Sequence, residues 1–274
     1  HLDALEKEMT QCKEWLAGKQ MVSVYVGGGT PTSLSEEQFE RLMAMIEKYL
    51  SMGQSKEFTV EAGRPDSITE GKLRSMKAHG VTRISINPQS MKEHTLELLG
   101  RKHTVEEIRE KFMLARTLGF DNINMDLIAG LPGETRADMQ DTLRRIKALA
   151  PDSLTVHALA IKRAAKFGQE GRTMDLHSEI SGMVEDAAEC AEEMGLKPYY
   201  LYRQKNIAGN FENVGYAEVD KAGIYNILIM EEKQTIIAMG AGASSKIVFH
   251  NQSDDDHSVR IERVENVKDV TNYI

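Results

Sequence analysis

Cysteine is almost missing: Cys12 and Cys190 are the two in a chain of 274 residues. So few, so far apart, exclude a disulfide framework and point to a reducing, cytoplasmic setting. Both fall on apolar helical stripes, where buried, inert thiols are expected. Basic charge is also in deficit. Lys and Arg number 34 against 42 Asp and Glu, a net charge of −8. A general nucleic-acid binder would carry a basic face, so nucleic acid is not an expected partner. A local basic pocket for an anionic ligand stays compatible with that balance. No apolar run approaches the roughly 20 residues that span a bilayer, and no secretory leader pattern opens the chain, so no membrane partner is expected. Metal and nucleophile signatures are lacking too: there is no C-x-x-C, no H-E-x-x-H and no G-x-S-x-G.

What is present is an alternation of strand and helix. With 41% hydrophobic residues, the chain can bury a large core and a small appendage. The opening stretch, Leu2, Leu5, Met9, Cys12 and Leu16, is an apolar helical stripe without an initiator Met. It reads as an interior start, with an N-terminal piece missing. Strands are expected at Val22–Val26, Glu57–Glu61, Thr82–Ile86, Asn122–Leu127 and Ser153–Ala160. Between them run helical patterns: Phe39, Leu42, Met43, Ile46 and Leu50 in one, Ile108, Phe112 and Ala115 in another. Ser35 with Gln38, and Thr104 with Glu107, have the spacing of capping boxes. A long helix is expected from about Leu176 to Met194. These alternating units imply a parallel sheet. After Pro198 the pattern changes to short β-rich segments, at Tyr199–Arg203, Ile224–Met230, Thr235–Met239, Lys246–Phe249 and Val259–Val264. A division at 203/204 is therefore expected, with a small β-rich domain over 204–274. Asp254, Asp255 and Asp256 read as a solvated loop tip.

The most informative stretch is Tyr25-Val26-Gly27-Gly28-Gly29-Thr30-Pro31-Thr32. Three glycines between a strand and a helix let backbone amides and carbonyls press against a ligand. No Gly-Lys-Ser/Thr follows, so this is not a phosphate P-loop, and the G-x-G-x-x-G spacing is absent. Ligand sites of parallel α/β barrels lie at the C-terminal strand ends. There the sequence sets Glu61, Gln89, Asp126 and His157 beside the glycines. Such a rim suits a ligand with an amino group, a carboxylate and hydroxyls. Singly, each residue has an ordinary reading: Glu61 as an ion-pair partner, His157 as a core histidine.

Taken in order, Gly27–Thr32, Glu61 with Pro65, Gln89-Ser90, Leu98-Leu99-Gly100-Arg101 and Asp126-Leu127-Ile128-Ala129-Gly130-Leu131-Pro132 resemble a known family. It is that of the radical S-adenosylmethionine enzymes related to oxygen-independent coproporphyrinogen III oxidase. Tyr199–Asn206, Glu212–Tyr216 and Ile229–Gln234 resemble its coproporphyrinogen dehydrogenase branch. The resemblance implies an incomplete parallel (β/α)6 TIM-like barrel with a small C-terminal β-rich domain. It implies S-adenosylmethionine and a 4Fe–4S cluster as cofactors. Gly27, Gly28, Gly29 and Thr30 would hold the methionine amino end. Glu61, Gln89, Arg101 and Asp126 would contact the rest, with Arg101 at the carboxylate and Asp126 at a ribose hydroxyl. Ala160 would lie by the adenine. The implied reaction converts coproporphyrinogen III propionates to vinyl groups, giving protoporphyrinogen IX, with a donor such as flavodoxin or ferredoxin. A porphyrinogen needs cationic partners, for which Arg203 and Lys205 are candidates. A sister branch implies a haem-binding chaperone instead. The family's C-x3-C-x2-C cluster loop is not in this chain, and Leu2–Leu5 resembles the helix that follows it. No metal ligands are therefore expected here, and the chain alone should be inactive.

Overall fold

A computed structural model describes residues 1–50, 52–159, 173–203, 212–250 and 259–274. Asp254–Asp256 lie outside the described residues. In order, the elements are α1 (Leu2–Leu16), β1 (Ser23–Val26), α2 (Glu36–Tyr49), β2 (Glu57–Gly63), α3 (Glu70–Ala78), β3 (Arg83–Gln89), α4 (Glu93–Leu98) and α5 (Val105–Thr117). There follow β4 (Ile123–Ala129), α6 (Arg136–Leu149), β5 (Ser153–Ala158), α7 (Thr173–Glu193), β6 (Lys197–Arg203) and β7 (Glu212–Ala217). The tail holds α8 (Ile224–Glu231), β8 (Ser244–His250), β9 (Val259–Glu265) and α9 (Val270–Tyr273). Among the described residues one curled sheet runs β1-β2-β3-β4-β5-β7-β6. β2 to β5 pair in parallel, and β7 then joins β5 and β6 antiparallel. This is the incomplete, mostly parallel half-barrel that the sequence implies, and β8 and β9 form a small antiparallel ribbon.

Contacts divide the chain into two compact units: residues 25–34 with 58–223, and residues 1–24 with 35–57 and 224–274. In the first, one set of alternate strand positions is apolar and buried: Val60, Ala62, Ile84, Ile86, Met125, Leu127, Leu154 and Val156. Ile108, Phe112 and Ala115 of α5 are likewise buried. Each buried Ile or Phe contributes roughly 1.5–3 kcal/mol. The capping boxes at Ser35/Gln38 and Thr104/Glu107 are formed as expected, and a third caps α6 through Thr135 and Asp138. α6 is tied to α7 by a fork from Arg136 to Asp186, at 2.8 and 2.7 Å. The turn after β4 also depends on α7. At Gly130, with φ of 86°, a Cβ would meet Ile180 at 2.8 Å, and its amide points at Met183 Sδ.

Two tail expectations are corrected. Ile224–Met230 is not a strand but lies in helix α8. Its first amides, Ile224 and Tyr225, donate to the buried Glu57 carboxylate at 2.7 and 3.1 Å. A cap 167 residues away in sequence satisfies the helix start and overrides the strand preference of an Ile-rich run. Thr235–Met239 forms no strand either, only a single bridge from Ile236 to Lys246. In the same unit Glu8 of α1 accepts from Gly240 N, Asn266 Nδ2 and Tyr273 Oη, at 2.9, 2.6 and 2.5 Å. Cys12 and Cys190 are buried, and burial pushes both thiols up in pKa.

Gly215 of β7 faces the Tyr200 ring of β6 so closely that a Cβ would lie 1.9 Å from Tyr200 Cε1. Gly215→Ala should therefore cost about 1–3 kcal/mol by overpacking, read by urea denaturation of the full chain. In a Tyr200→Ala background the same change should cost little, and equal losses in both backgrounds would refute the contact.

Candidate functional site

The opposite set of strand positions is polar: Thr59 and Glu61 on β2, Arg83, Ser85 and Asn87 on β3, Asn124 and Asp126 on β4, Ser153, Thr155 and His157 on β5. A closed core would not tolerate this face, because buried polar groups must be paired. Here most of them are paired, although Thr59 Oγ1 and Arg83 Nε are buried without a partner among the described residues. Asn124 Nδ2 donates to Asp126 Oδ1 at 2.6 Å and to Ser85 Oγ at 3.0 Å. Ser85 donates on to Asn87, Thr155 to Asn124, and Arg83 to Ser153. The network fixes Asp126 in the middle of β4, paired in register with Thr155, rather than near the strand end that the sequence suggested, because β4 runs on to Ala129.

The glycine loop joins this face at its rim. A Cβ on Gly27 would sit 2.6 Å from the Tyr25 ring and 2.7 Å from the Glu61 carboxyl. Any side chain there would have to displace the Tyr25 ring and the Glu61 carboxyl, and Gly28 adds a φ of 85°. Tyr25 Oη and the Gly28 amide both donate to Glu61. Burial raises the Glu61 pKa, and Asp126 pushes it the same way, while Tyr25, Gly28 and Arg83 oppose them. Burial and the Glu61 charge also push the Tyr25 hydroxyl far up, so it stays a donor. Behind the loop, Thr32 is fully buried and its hydroxyl binds Ala62 O at 2.5 Å and Ser67 Oγ at 2.6 Å. The buried Lys72 ammonium donates to Thr32 O at 2.6 Å and Ser67 O at 3.0 Å. One cation thus holds the turn Pro31–Ser33 against the turn Pro65–Ser67. Thr30 approaches the end of β2, since a Cβ on Gly63 would lie 3.0 Å from its methyl.

Gln89 ends β3 beside Leu127, with a left-handed φ of 68°. The register shifts between Ile86 and Gln89, which accommodates Pro88 in an interior strand. Such a conformation in a non-glycine residue is held by its surroundings and costs about 1–3 kcal/mol. Arg101 follows α4, half-buried, its pKa lowered first by burial and then by Arg64. Its guanidinium has no hydrogen-bond or ion-pair partner among the described residues. The structure thus joins Gly27, Gly28, Glu61 and Asp126 in one group and sets Arg101 in a second, beside Arg64, Asp66 and His103. Arg203 ends β6, the sheet edge opposite β1. Ala160 and Lys205 lie outside the described residues. Tyr25, Asn124, Lys72, Arg64 and His103 carry roles that motif reading did not assign. The period-2 run of polar residues through β2–β5 is the signal that could have found Asn124.

A glycine cradle with two carboxylates, and in a neighbouring group an arginine without a partner among the described residues, fit S-adenosylmethionine: carboxylates for ammonium and hydroxyls, arginine for the carboxylate. The 4Fe–4S cluster is different. Three thiolates on one loop are needed, whereas Cys12 and Cys190 are buried on separate helices, and no His, Cys, Asp or Glu group suited to a metal occurs among the described residues. The residues present do not fit the cluster. No described helix is long and apolar enough to cross a membrane.

A curled half-barrel whose polar strand ends meet a glycine loop defines a class of cofactor-binding barrel, and comparison with known proteins gives the class its family. The sequence pattern of the radical SAM superfamily matches residues 2–146, and the chain belongs to this superfamily. The oxygen-independent coproporphyrinogen-III oxidase-like protein HemZ of Bacillus subtilis is 46% identical over 98% of this chain and 54% of its own length. The heme chaperone HemW of the same species is 36% identical over 61% of this chain and 44% of its own length. Coproporphyrinogen III oxidase (HemN) of Escherichia coli, a radical SAM enzyme, superposes with a TM-score of 0.75 at 23% identity, over 98% of this chain and 60% of that one. The last likeness concerns the fold. The chain spans about half the length of the curated relatives it matches.

Two predictions follow from these contacts. A carboxyl whose folded pKa is raised favours the folded state below its ordinary value of 4.5 and loses that advantage as pH rises through the raised value. Glu61→Gln removes the titration, so urea denaturation should show the variant gaining stability over the parent as pH climbs from 4.5 toward neutrality. A pH-independent difference would contradict this. Lys72→Met leaves Thr32 O and Ser67 O without their donor and should cost about 2–4 kcal/mol in the same measurement, where an unchanged midpoint would count against the clamp.

Proposed function

We propose that the chain is the S-adenosylmethionine-binding part of a haem-pathway radical enzyme acting on coproporphyrinogen III. The observation that carries this reading is the glycine loop moulded around Glu61, with Asp126 beside it and, in a neighbouring group, Arg101 without a partner among the described residues. The backbone of Gly27–Thr30 and Glu61 would take the ligand's ammonium, Arg101 its carboxylate and Asp126 a ribose hydroxyl. Gln89, fixed by the bulge of β3, would contact the same ligand. Bound S-adenosylmethionine, once reduced by one electron from a flavodoxin- or ferredoxin-type donor, supplies a 5′-deoxyadenosyl group that takes hydrogen atoms. The chain's own residues bind and orient that ligand and keep its charges paired away from water. In the proposed reaction each of two propionates would give a hydrogen atom to that deoxyadenosyl group, release carbon dioxide, pass one electron to an external one-electron acceptor and become a vinyl group, yielding protoporphyrinogen IX. Cluster ligands would come from sequence beyond these 274 residues, so this chain alone would be inactive. The proposed setting is cytoplasmic, with the β-rich tail over 204–274 and with Arg203 and Lys205 toward the substrate carboxylates.

A second reading rests on the 36% identity to the heme chaperone HemW. Haem would then be held rather than a porphyrinogen decarboxylated. The test is anaerobic incubation of the full-length, cluster-reconstituted protein with S-adenosylmethionine, a reductant and coproporphyrinogen III. Mass spectrometry should detect 5′-deoxyadenosine together with decarboxylated porphyrin. Stoichiometric haem binding without either product would move the assignment to the chaperone.

A further inference from the structure

Past the end of β2 the chain turns through Arg64, Pro65, Asp66 and Ser67. Arg64 grips Asp66 with both arms of its fork, Nε to Oδ1 at 3.1 Å and Nη2 to Oδ2 at 2.6 Å. Each carboxylate oxygen accepts one of these bonds, and the pairing holds the Asp66 pKa down. His103 faces the same carboxylate from the segment after α4. It is buried, with Nδ1 at 3.5 Å from Asp66 Oδ1, and neither ring nitrogen has a hydrogen-bond partner among the described residues. Burial lowers its pKa, so it brings no competing cation. Two residues earlier, Arg101 is close enough to feel Arg64 and Asp66, yet pairs with neither. A half-buried guanidinium beside a carboxylate would ordinarily form a fork with it.

We propose that Arg64 is a positioning residue: by engaging both oxygens of Asp66 and setting a like charge against Arg101, it keeps that carboxylate from capturing Arg101, whose guanidinium stays open to the carboxylate of a bound ligand. The proposal rests on the reading of the rim as an S-adenosylmethionine site. Arg64 repels Arg101 by like charge and at the same time removes its rival anion. Without Arg64, Asp66 is the carboxylate acting on a cation that burial disfavours, and the two would close on each other. The ligand would then have to break an ion pair before binding. That penalty falls only on ligands that present a carboxylate.

The test is calorimetric titration of the full-length protein with S-adenosylmethionine and with 5′-methylthioadenosine, which lacks the amino-acid portion. Arg64→Gln should weaken S-adenosylmethionine binding about tenfold and leave 5′-methylthioadenosine within a factor of about two. Adding Asp66→Asn to Arg64→Gln removes the captor and should restore affinity. If the double variant stays weak, Arg64 touches the ligand directly and the proposal fails. If the single variant binds both ligands like the parent, Asp66 is no rival and the proposal fails. If both ligands weaken equally, the loss is structural and the proposal fails. Absence of S-adenosylmethionine binding in the parent overturns the reading of the rim itself, a result distinct from the others.

Discussion

The structure turns on one close approach. The Glu61 carboxyl occupies the space that a side chain on Gly27 would fill, with Tyr25 and the Gly28 amide donating to it. That contact welds the loop after β1 to the end of β2, so the first two strands present a single polar rim. Glu61 in turn meets the field of Asp126, which Asn124 holds from below. Burying two carboxylates this near each other is unfavourable unless something compensates. Arg83, buried on the same face, supplies part of the compensation, and a cationic ligand would supply more.

The rim rests on a scaffold that is itself polar. Lys72, buried between two short turns, uses an ammonium where a core would ordinarily use a methyl. The reason is local: both turns begin with proline and leave carbonyls pointing inward, and an ammonium satisfies more than one at once. On the outer face the same strands are apolar, and the helices take those side chains out of water. One strand pattern thus serves two ends, with hydrophobic burial holding the fold and the alternate positions reserved for ligand chemistry.

Much of this was legible in the sequence because it is locally encoded. The capping boxes at Ser35 and Thr104 announce α2 and α5, and the three glycines mark a loop where backbone meets ligand. Glu61 and Asp126 share the polar face because both fall on the same set of alternate positions in adjacent parts of the sheet. The family resemblance rested on those same residues, and it supplied the identity of the ligand, which polarity alone leaves open. What was illegible depends on partners far away in sequence. Helix α8 looks like a strand until Glu57 caps it, and β7, interrupted by Asn213 and Gly215, pairs only because two strands flank it. Arg64 and Asp66, on either side of Pro65, carry no signal of their own in the sequence, since their meaning comes from Arg101 and His103, far along the chain.

The central claim is that the glycine loop and its carboxylates bind S-adenosylmethionine. The most direct measurement is a titration of this chain, labelled with nitrogen-15 at glycine, followed by its amide resonances. The account predicts that Gly27, Gly28 and Gly29 shift in a saturable manner, together with Gly63, while Gly119 and Gly195 stay in place. Saturable shifts confined to glycines away from the loop, or none at millimolar ligand, would contradict it.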